Sequence, residues 1–197
     1  LQIACLSFKM DPRIIKLIIS ACPELICRTN DKGDTAVHTL CRNETLQDNI
    51  AVEILSLLIE KDPASLKIGN HGYRGAWQER MLPIHVAAEE GRSRRFCKAL
   101  YDADKESITV RSGRNRLPLH IAATHGHYAT VKCLFDLDPS TINTQDREGN
   151  LFFRGASVSR VELLRVKLFL ETQWSYHLKA KDTKSLIVRD KVGQVTL

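Results

Sequence analysis

The sequence predicts an all-α solenoid of stacked helix-turn-helix units joined by hairpin-like turns, and three observations predict it. A seven-residue stretch recurs: Leu82-Pro83-Ile84-His85-Val86-Ala87-Ala88 and, 35 residues later, Leu117-Pro118-Leu119-His120-Ile121-Ala122-Ala123. Thr35-Ala36-Val37-His38-Thr39-Leu40-Cys41 is a divergent copy, and Leu1-Gln2-Ile3-Ala4-Cys5 fits as a shortened one with Gln2 in the histidine slot. A glycine closes a polar turn in each unit (Gly33, Gly72, Gly113, Gly149 and Gly193). An apolar stripe also follows each histidine at constant offset. Self-similarity at this period means units that bury their apolar faces on one another in a row.

Each element follows from its residues. Proline has a fixed φ and no N–H to waste at the first helical position, so Pro83 and Pro118 start helices. The small pairs Ala87-Ala88 and Ala122-Ala123 let neighbouring first helices pack closely, and Cys5 and Cys41 share that slot. Gly91 and Gly126 end the short first helices, because glycine tolerates the left-handed conformation. The second helices carry Phe96, Ala99 and Leu100, then Val131, Leu134 and Phe135, each set 11, 14 and 15 residues after its histidine. That spacing is one helical face. Ile54, Leu57 and Leu58 fit the pattern after His38 if about five residues are inserted between the helices around Arg42–Ile50. Ile14-Ile15-Lys16-Leu17-Ile18-Ile19 reads as the buried second helix of the first unit; it is too short and too charged to span a membrane.

These residues resemble the ankyrin repeat, a turn plus two helices with the signature Thr-Pro-Leu-His-x-Ala. The resemblance implies one domain over 1–197, as units 1–33, 34–72, 73–113, 114–149 and 150–193 with the start of a sixth at 194–197. It also implies a piece of a longer array. The histidines are structural by this resemblance. His38 would bond Thr35, whereas Leu82 and Leu117 cannot cap a helix, so His85 and His120 need a backbone partner. His125-Gly126-His127 looks like a metal pair but has no third ligand at suitable spacing, and no cofactor is expected.

The resemblance further implies a protein-protein interaction module or scaffold. Its contacts would lie on the turn fingers: Asn30, Asp31, Lys32 and Asp34; His71, Tyr73, Arg74 and Trp77; Ser112, Arg114 and Asn115; Gln145, Asp146, Arg147 and Asn150. The first-helix ends Glu89, Glu90, Thr124 and His125 would complete the surface. The expected partner is another protein, held by a monomeric array. The alternative is an array that positions a larger enzyme, receptor or channel.

Two departures stand out. Tyr73–Met81 lengthens one turn by roughly six to eight residues. It carries tryptophan, tyrosine and arginine, the types enriched at binding hot spots. It would either anchor a partner or fold back on its own repeat. The last unit lacks the proline and histidine, although Ala156-Ser157 keep the small pair.

Charge and cysteines narrow the function classes. The net charge is +6, and residues 150–197 alone carry nine basic and four acidic groups. Arg92, Arg94, Arg95 and Lys98 add a smaller cluster, joined to Arg111, Arg114 and Arg116 on the next turn. Either could attract an acidic partner, but a solvated helical face is the plainer reading. Binding of nucleic acid or an anionic membrane through the C-terminal region is the least favoured function; aromatics are few and no nucleic-acid motif accompanies the basic groups. The six cysteines (Cys5, Cys22, Cys27, Cys41, Cys97 and Cys133) follow no disulfide or zinc pattern. They read as small hydrophobes in a reducing, intracellular compartment, cytoplasmic or nuclear. No phosphate loop, nucleophile elbow or Cys/His catalytic setting is present, so no enzyme is expected in these residues. No signal peptide or membrane-length apolar run occurs.

Overall fold

The computed structural model describes residues 1–7, 11–71 and 80–152. Among them the regular elements are helices: α1 (Gln2–Cys5), α2 (Pro12–Ala21), α3 (Ala36–Arg42), α4 (Asp48–Lys61), α5 (Pro83–Glu89), α6 (Arg94–Ala103), α7 (Pro118–Thr124) and α8 (Tyr128–Leu137). They pair as short first helices and longer second helices. A 3₁₀ turn closes each pair: Pro23–Leu25, Pro63–Lys67, Lys105–Thr109 and Pro139–Asn143. The first helices stack α1 on α3, α3 on α5 and α5 on α7, while the second helices stack α2 on α4, α4 on α6 and α6 on α8. Two helical layers result, with one continuous core between them.

Local chemistry explains the boundaries. Pro12, Pro83 and Pro118 all stand at helix starts. Asp11 caps α2 by accepting from the Arg13 N–H, and Ser93 caps α6 by accepting from the Phe96 N–H. Gly91 and Gly126 adopt positive φ, +65° and +78°, just beyond α5 and α7. Ala87, Ala88, Ala122, Ala123, Cys5 and Cys41 are buried where first helices meet. Burial pushes the thiols of Cys5 and Cys41 up to about 12, so they remain neutral packing groups.

Several details differ from the sequence reading. The extra residues of the second unit mostly lengthen the helix: α4 has 14 residues against ten for α6 and α8, and only 43–47 link it to α3. In the third turn the left-handed residue is Asn115 (φ 60°), not Gly113. Asparagine tolerates that region because its short polar side chain bonds locally. His120 therefore lies five residues after its left-handed residue, the same interval that separates His38 from Gly33. On α2, Ile15 and Ile19 are buried, but Ile14 and Leu17 face solvent. Of the expected fifth unit only Asn150, Leu151 and Phe152 are described, the last two buried; the remainder of 150–193, the residues 194–197 and the basic groups beyond Phe152 lie outside the described residues.

The junction after α5 shows how tightly the units meet. A Cβ at Gly91 would run into the His127 imidazole, whose Nε2 donates to the Glu89 carbonyl at 2.8 Å. Gly91→Ala should destabilise the array by about 1–3 kcal/mol, through left-handed strain plus this collision. Denaturant unfolding checks it, and adding His127→Ala should restore part of the loss.

Candidate functional site

The fingers begin as pinned turns. Asn30 Oδ1 accepts from the Lys32 and Asp34 N–H groups, each at 2.9 Å, and the Gly33 N–H closes on the Asn30 carbonyl. Asp146 repeats this with the N–H groups of Glu148 and Asn150. The third finger closes through Ser112, whose N–H donates to the Arg116 carbonyl and whose carbonyl accepts from Asn115. These are side-chain-assisted turns with fixed bases and outward tips.

The second finger uses the same base around a longer loop. Asn70 is buried; its amide donates to Asp34 Oδ1 at 2.7 Å and its Oδ1 accepts from the Met81 N–H. The backbone closes with the Asn70 N–H on the Met81 carbonyl, and the His71 N–H donates to the Lys32 carbonyl of the first finger at 2.8 Å. Eleven residues separate Asn70 from Met81 where four separate Asn30 from Asp34. The insertion therefore lies within 71–80. Tyr73, Arg74 and Trp77 lie outside the described residues.

The histidines join finger to finger. The Leu82 N–H donates to His85 Nδ1 at 3.2 Å, and the Leu117 N–H donates to His120 Nδ1 at 3.2 Å. His38 Nδ1 accepts from the Thr35 N–H and lies 2.9 Å from its hydroxyl. A nitrogen facing an N–H donor must accept, so these rings are neutral with the proton on Nε2. That proton goes to the base of the following finger: His38 to the Met81 carbonyl at 2.9 Å, and His85 to the Val110 carbonyl at 3.0 Å. Gln2 does the same with its amide, donating to the Arg28 and Asp34 carbonyls at 2.7 and 2.8 Å. His120 Nε2 closes no hydrogen bond of good geometry; burial lowers its pKa, with Asp146 and the Thr144 backbone pulling the other way.

Burial holds these imidazoles neutral. It lowers the pKa of His38 from 6.5 to about 4, against the opposing pull of the Met81 carbonyl and Asp34. It lowers His85 to about 4 as well, against the carbonyls of Val110 and Arg116, and it lowers His120.

The other candidates separate by exposure. Asn30, Asp31, Lys32, His71, Arg114, Asn115, His125 and Arg147 are exposed, while Glu89, Glu90, Thr124, Gln145, Asp146 and Asn150 are half-buried. Asp34 and Ser112 are buried and face their own chain. Asp34 lies 3.7 Å from Arg42, which also pairs with Glu89 and Glu90 at 3.0 Å each. This half-buried network joins the ends of α3 and α5, a contact the sequence reading missed; its signal was an arginine in a slot where α5 carries Glu89. Glu90 is raised by burial despite Arg42.

Four members of the smaller basic cluster are engaged by groups of the chain itself. Arg92 is buried, donates to the Asn43 carbonyl at 2.6 Å and stacks over the Phe96 ring at 4.5 Å. Arg94 pairs with Asp136, and Lys98 with Asp102. Arg111 donates to the Asn115 and Gln145 carbonyls, linking the third and fourth fingers. His125 stacks on His127 with centroids 6.3 Å apart. Among the described residues no group of three His, Cys, Asp or Glu is placed to hold a metal ion, and no helix is long and apolar enough to cross a membrane.

A family model described as the ankyrin repeat matches residues 114–147, from the tip of the third finger through α7 and α8 into the fourth finger. No curated protein matches the chain. The described residues have the all-α fold expected of ankyrin repeats.

The buried histidines set a pH dependence. Unfolded imidazoles take up a proton near pH 6.5, whereas His38 and His85 resist it until about 4. Between these values the unfolded state binds more protons, so stability is fully present above about pH 6.5 and falls as pH drops towards 4. His85→Gln should flatten this slope, because glutamine already fills the slot at Gln2. Denaturant midpoints from pH 7.5 to 4.5 check it; parallel slopes for the two proteins would refute it.

Proposed function

We propose that the chain is a protein-binding module that engages another protein through its finger tips and first-helix ends, and does no catalysis. The ankyrin-repeat match supports interaction as its general role. One observation carries the reading: the finger bases are fastened by buried or bonded groups, while the tips are exposed. Asn30, Asp31 and Lys32 stand out beside buried Asp34, and Gly113, Arg114 and Asn115 stand out beside buried Ser112. Tip residues are thus spared from core packing and can be chosen for a partner. The proposed contact set is Asn30, Asp31, Lys32, His71, Arg114, Asn115, Arg147, Glu89, Glu90, Thr124, His125, Gln145, Asp146 and Asn150, with Tyr73, Arg74 and Trp77 of the inserted finger supplying aromatic and arginine anchors. Mixed charge along these tips suits a polar partner surface of both signs. Asp34 and Ser112 act by shaping the fingers.

Quantitative affinity capture from cells, with Asp31→Lys, Arg114→Glu and Arg147→Glu combined, tests the proposal. Specific partners should drop at least tenfold while Tm stays within about 2 °C, since exposed substitutions away from special features change stability little. Unchanged capture would exclude the tips. A separate Trp77→Ala variant asks the same of the inserted finger.

A further inference from the structure

The four hairpins correspond slot for slot, and the correspondence bears on the outer face of the first one. The chain leaves α2, α4, α6 and α8 through residues of matching conformation, Cys22, Asp62, Asp104 and Asp138, each with φ between −142° and −146°. The α7–α8 link is one residue shorter than the α5–α6 link, so counting back from these residues moves α8 by one from the count taken at the histidines: Ile14 occupies the slot of Ile54, Phe96 and Thr130, and Leu17 that of Leu57, Ala99 and Cys133. On the first helices, Ile3 occupies the slot of Thr39, Val86 and Ile121.

These slots face the preceding unit. Thr130 donates its hydroxyl to the Arg92 carbonyl at 3.1 Å, and Cys133 directs its thiol at the Arg94 carbonyl at 3.8 Å, both across the boundary to the previous hairpin. In the Ile14 slot Ile54 and Phe96 are 0% exposed and Thr130 is 1%; in the Leu17 slot Cys133 is 1% and Leu57 and Ala99 are half-buried; on the first helices Thr39 is 4% and Val86 and Ile121 are 0%. In the first hairpin the same slots hold apolar side chains left open, with Ile3 at 87%, Leu17 at 70% and Ile14 at 49%. Apart from Val110 and the adjacent Leu6, they are the exposed large hydrophobics among the described residues. Isoleucine and leucine exceed what a solvent-facing cap needs, and a polar outer face is what terminal units require for solubility. An open apolar face of this kind marks a contact.

We propose that the face formed by Ile3, Ile14 and Leu17 is a stacking interface, and that its occupant is a helical hairpin of the same architecture, docked as each internal hairpin docks on the next. This goes beyond the finger-tip reading: it concerns the end of the solenoid and does not depend on what the tips bind.

The test extends the whole chain in register. A copy of residues 83–118 joined ahead of Leu1 places a hairpin and finger at the repeat spacing, because Leu119 and Leu1 fill equivalent slots. The extension should raise Tm by about 5 °C or more. Ile14→Asp with Leu17→Asp should abolish that rise, yet leave the unextended chain within about 2 °C of its parent. Hydrogen exchange in α2 should slow only in the extended parent. No rise, or a rise that survives the two substitutions, would overturn the proposal. So would a large Tm loss in the unextended double variant, which would mean that these side chains already serve the chain's own core. Light scattering that shows the unextended chain as a dimer, made monomeric by the same substitutions, would assign the face to a second copy and also overturn it.

Discussion

One hydrogen-bonded line runs across the units, and much else is arranged around it. Gln2 donates to the Asp34 carbonyl; the next N–H along the chain, that of Thr35, donates to His38. His38 donates to the Met81 carbonyl, and the N–H of the same peptide, that of Leu82, donates to His85. His85 passes to the Val110 carbonyl, one finger strand over, and the Leu117 N–H meets His120. Peptide and imidazole alternate, each accepting on one side and donating on the other. Such chains polarise their members in a low dielectric. The line demands neutral rings of a single tautomer, which is why their burial and their chemistry cannot be separated. A protonated ring would aim two N–H groups at each other across 3.2 Å.

The parts of this arrangement legible in the sequence were those where one residue type answers one backbone demand. Pro83 and Pro118 announce helix starts because no other residue fixes φ without an N–H. Gly91 and Gly126 announce helix ends. Gln2 in the histidine slot was visible from spacing alone, and its amide performs the job of an imidazole Nε2. Where two residue types can meet the same demand, the sequence misled. Asparagine can sit in the left-handed region, so Asn115 took the role that Gly113 suggested. Extra residues can lengthen either a loop or a helix; at 43–61 they went mainly to the helix, where Ala51, Ile54, Leu55 and Leu58 bury apolar area that a longer loop could not.

Charge was the least legible feature, because a sequence shows where charges are but not what they face. The run Arg92, Arg94, Arg95 and Lys98 looks like one basic stripe. In the fold, Arg92 turns inward to a carbonyl and an aromatic ring, while Arg94 and Lys98 meet carboxylates of the neighbouring and the same helix. Asp34 and Arg42 went the other way. Asp34 was expected on a contact surface, yet it and Arg42 are drawn into a network with Glu89 and Glu90 that reaches from the finger to the next unit. Removing one member of such a half-buried group leaves the others desolvated and unpaired, so its worth lies in register more than in net stability.

The finger bases explain how one scaffold can keep its stacking and still change what it presents. Asn30 and Asn70 grip their turns with the same side-chain oxygen, yet one spans four residues and the other eleven. What His38 and His85 need is a carbonyl at the base, and that carbonyl is delivered whether the tip is short or long: His38 reaches Met81 past an inserted finger, while His85 reaches Val110 beside a short one. Length and composition beyond the base are therefore decoupled from the hydrogen-bonded line. A substitution at a tip changes the presented surface; a substitution at Asn70 changes the spacing of two units. The proposed recognition and the observed packing are divided along the finger at the residue where the backbone hydrogen bonds stop.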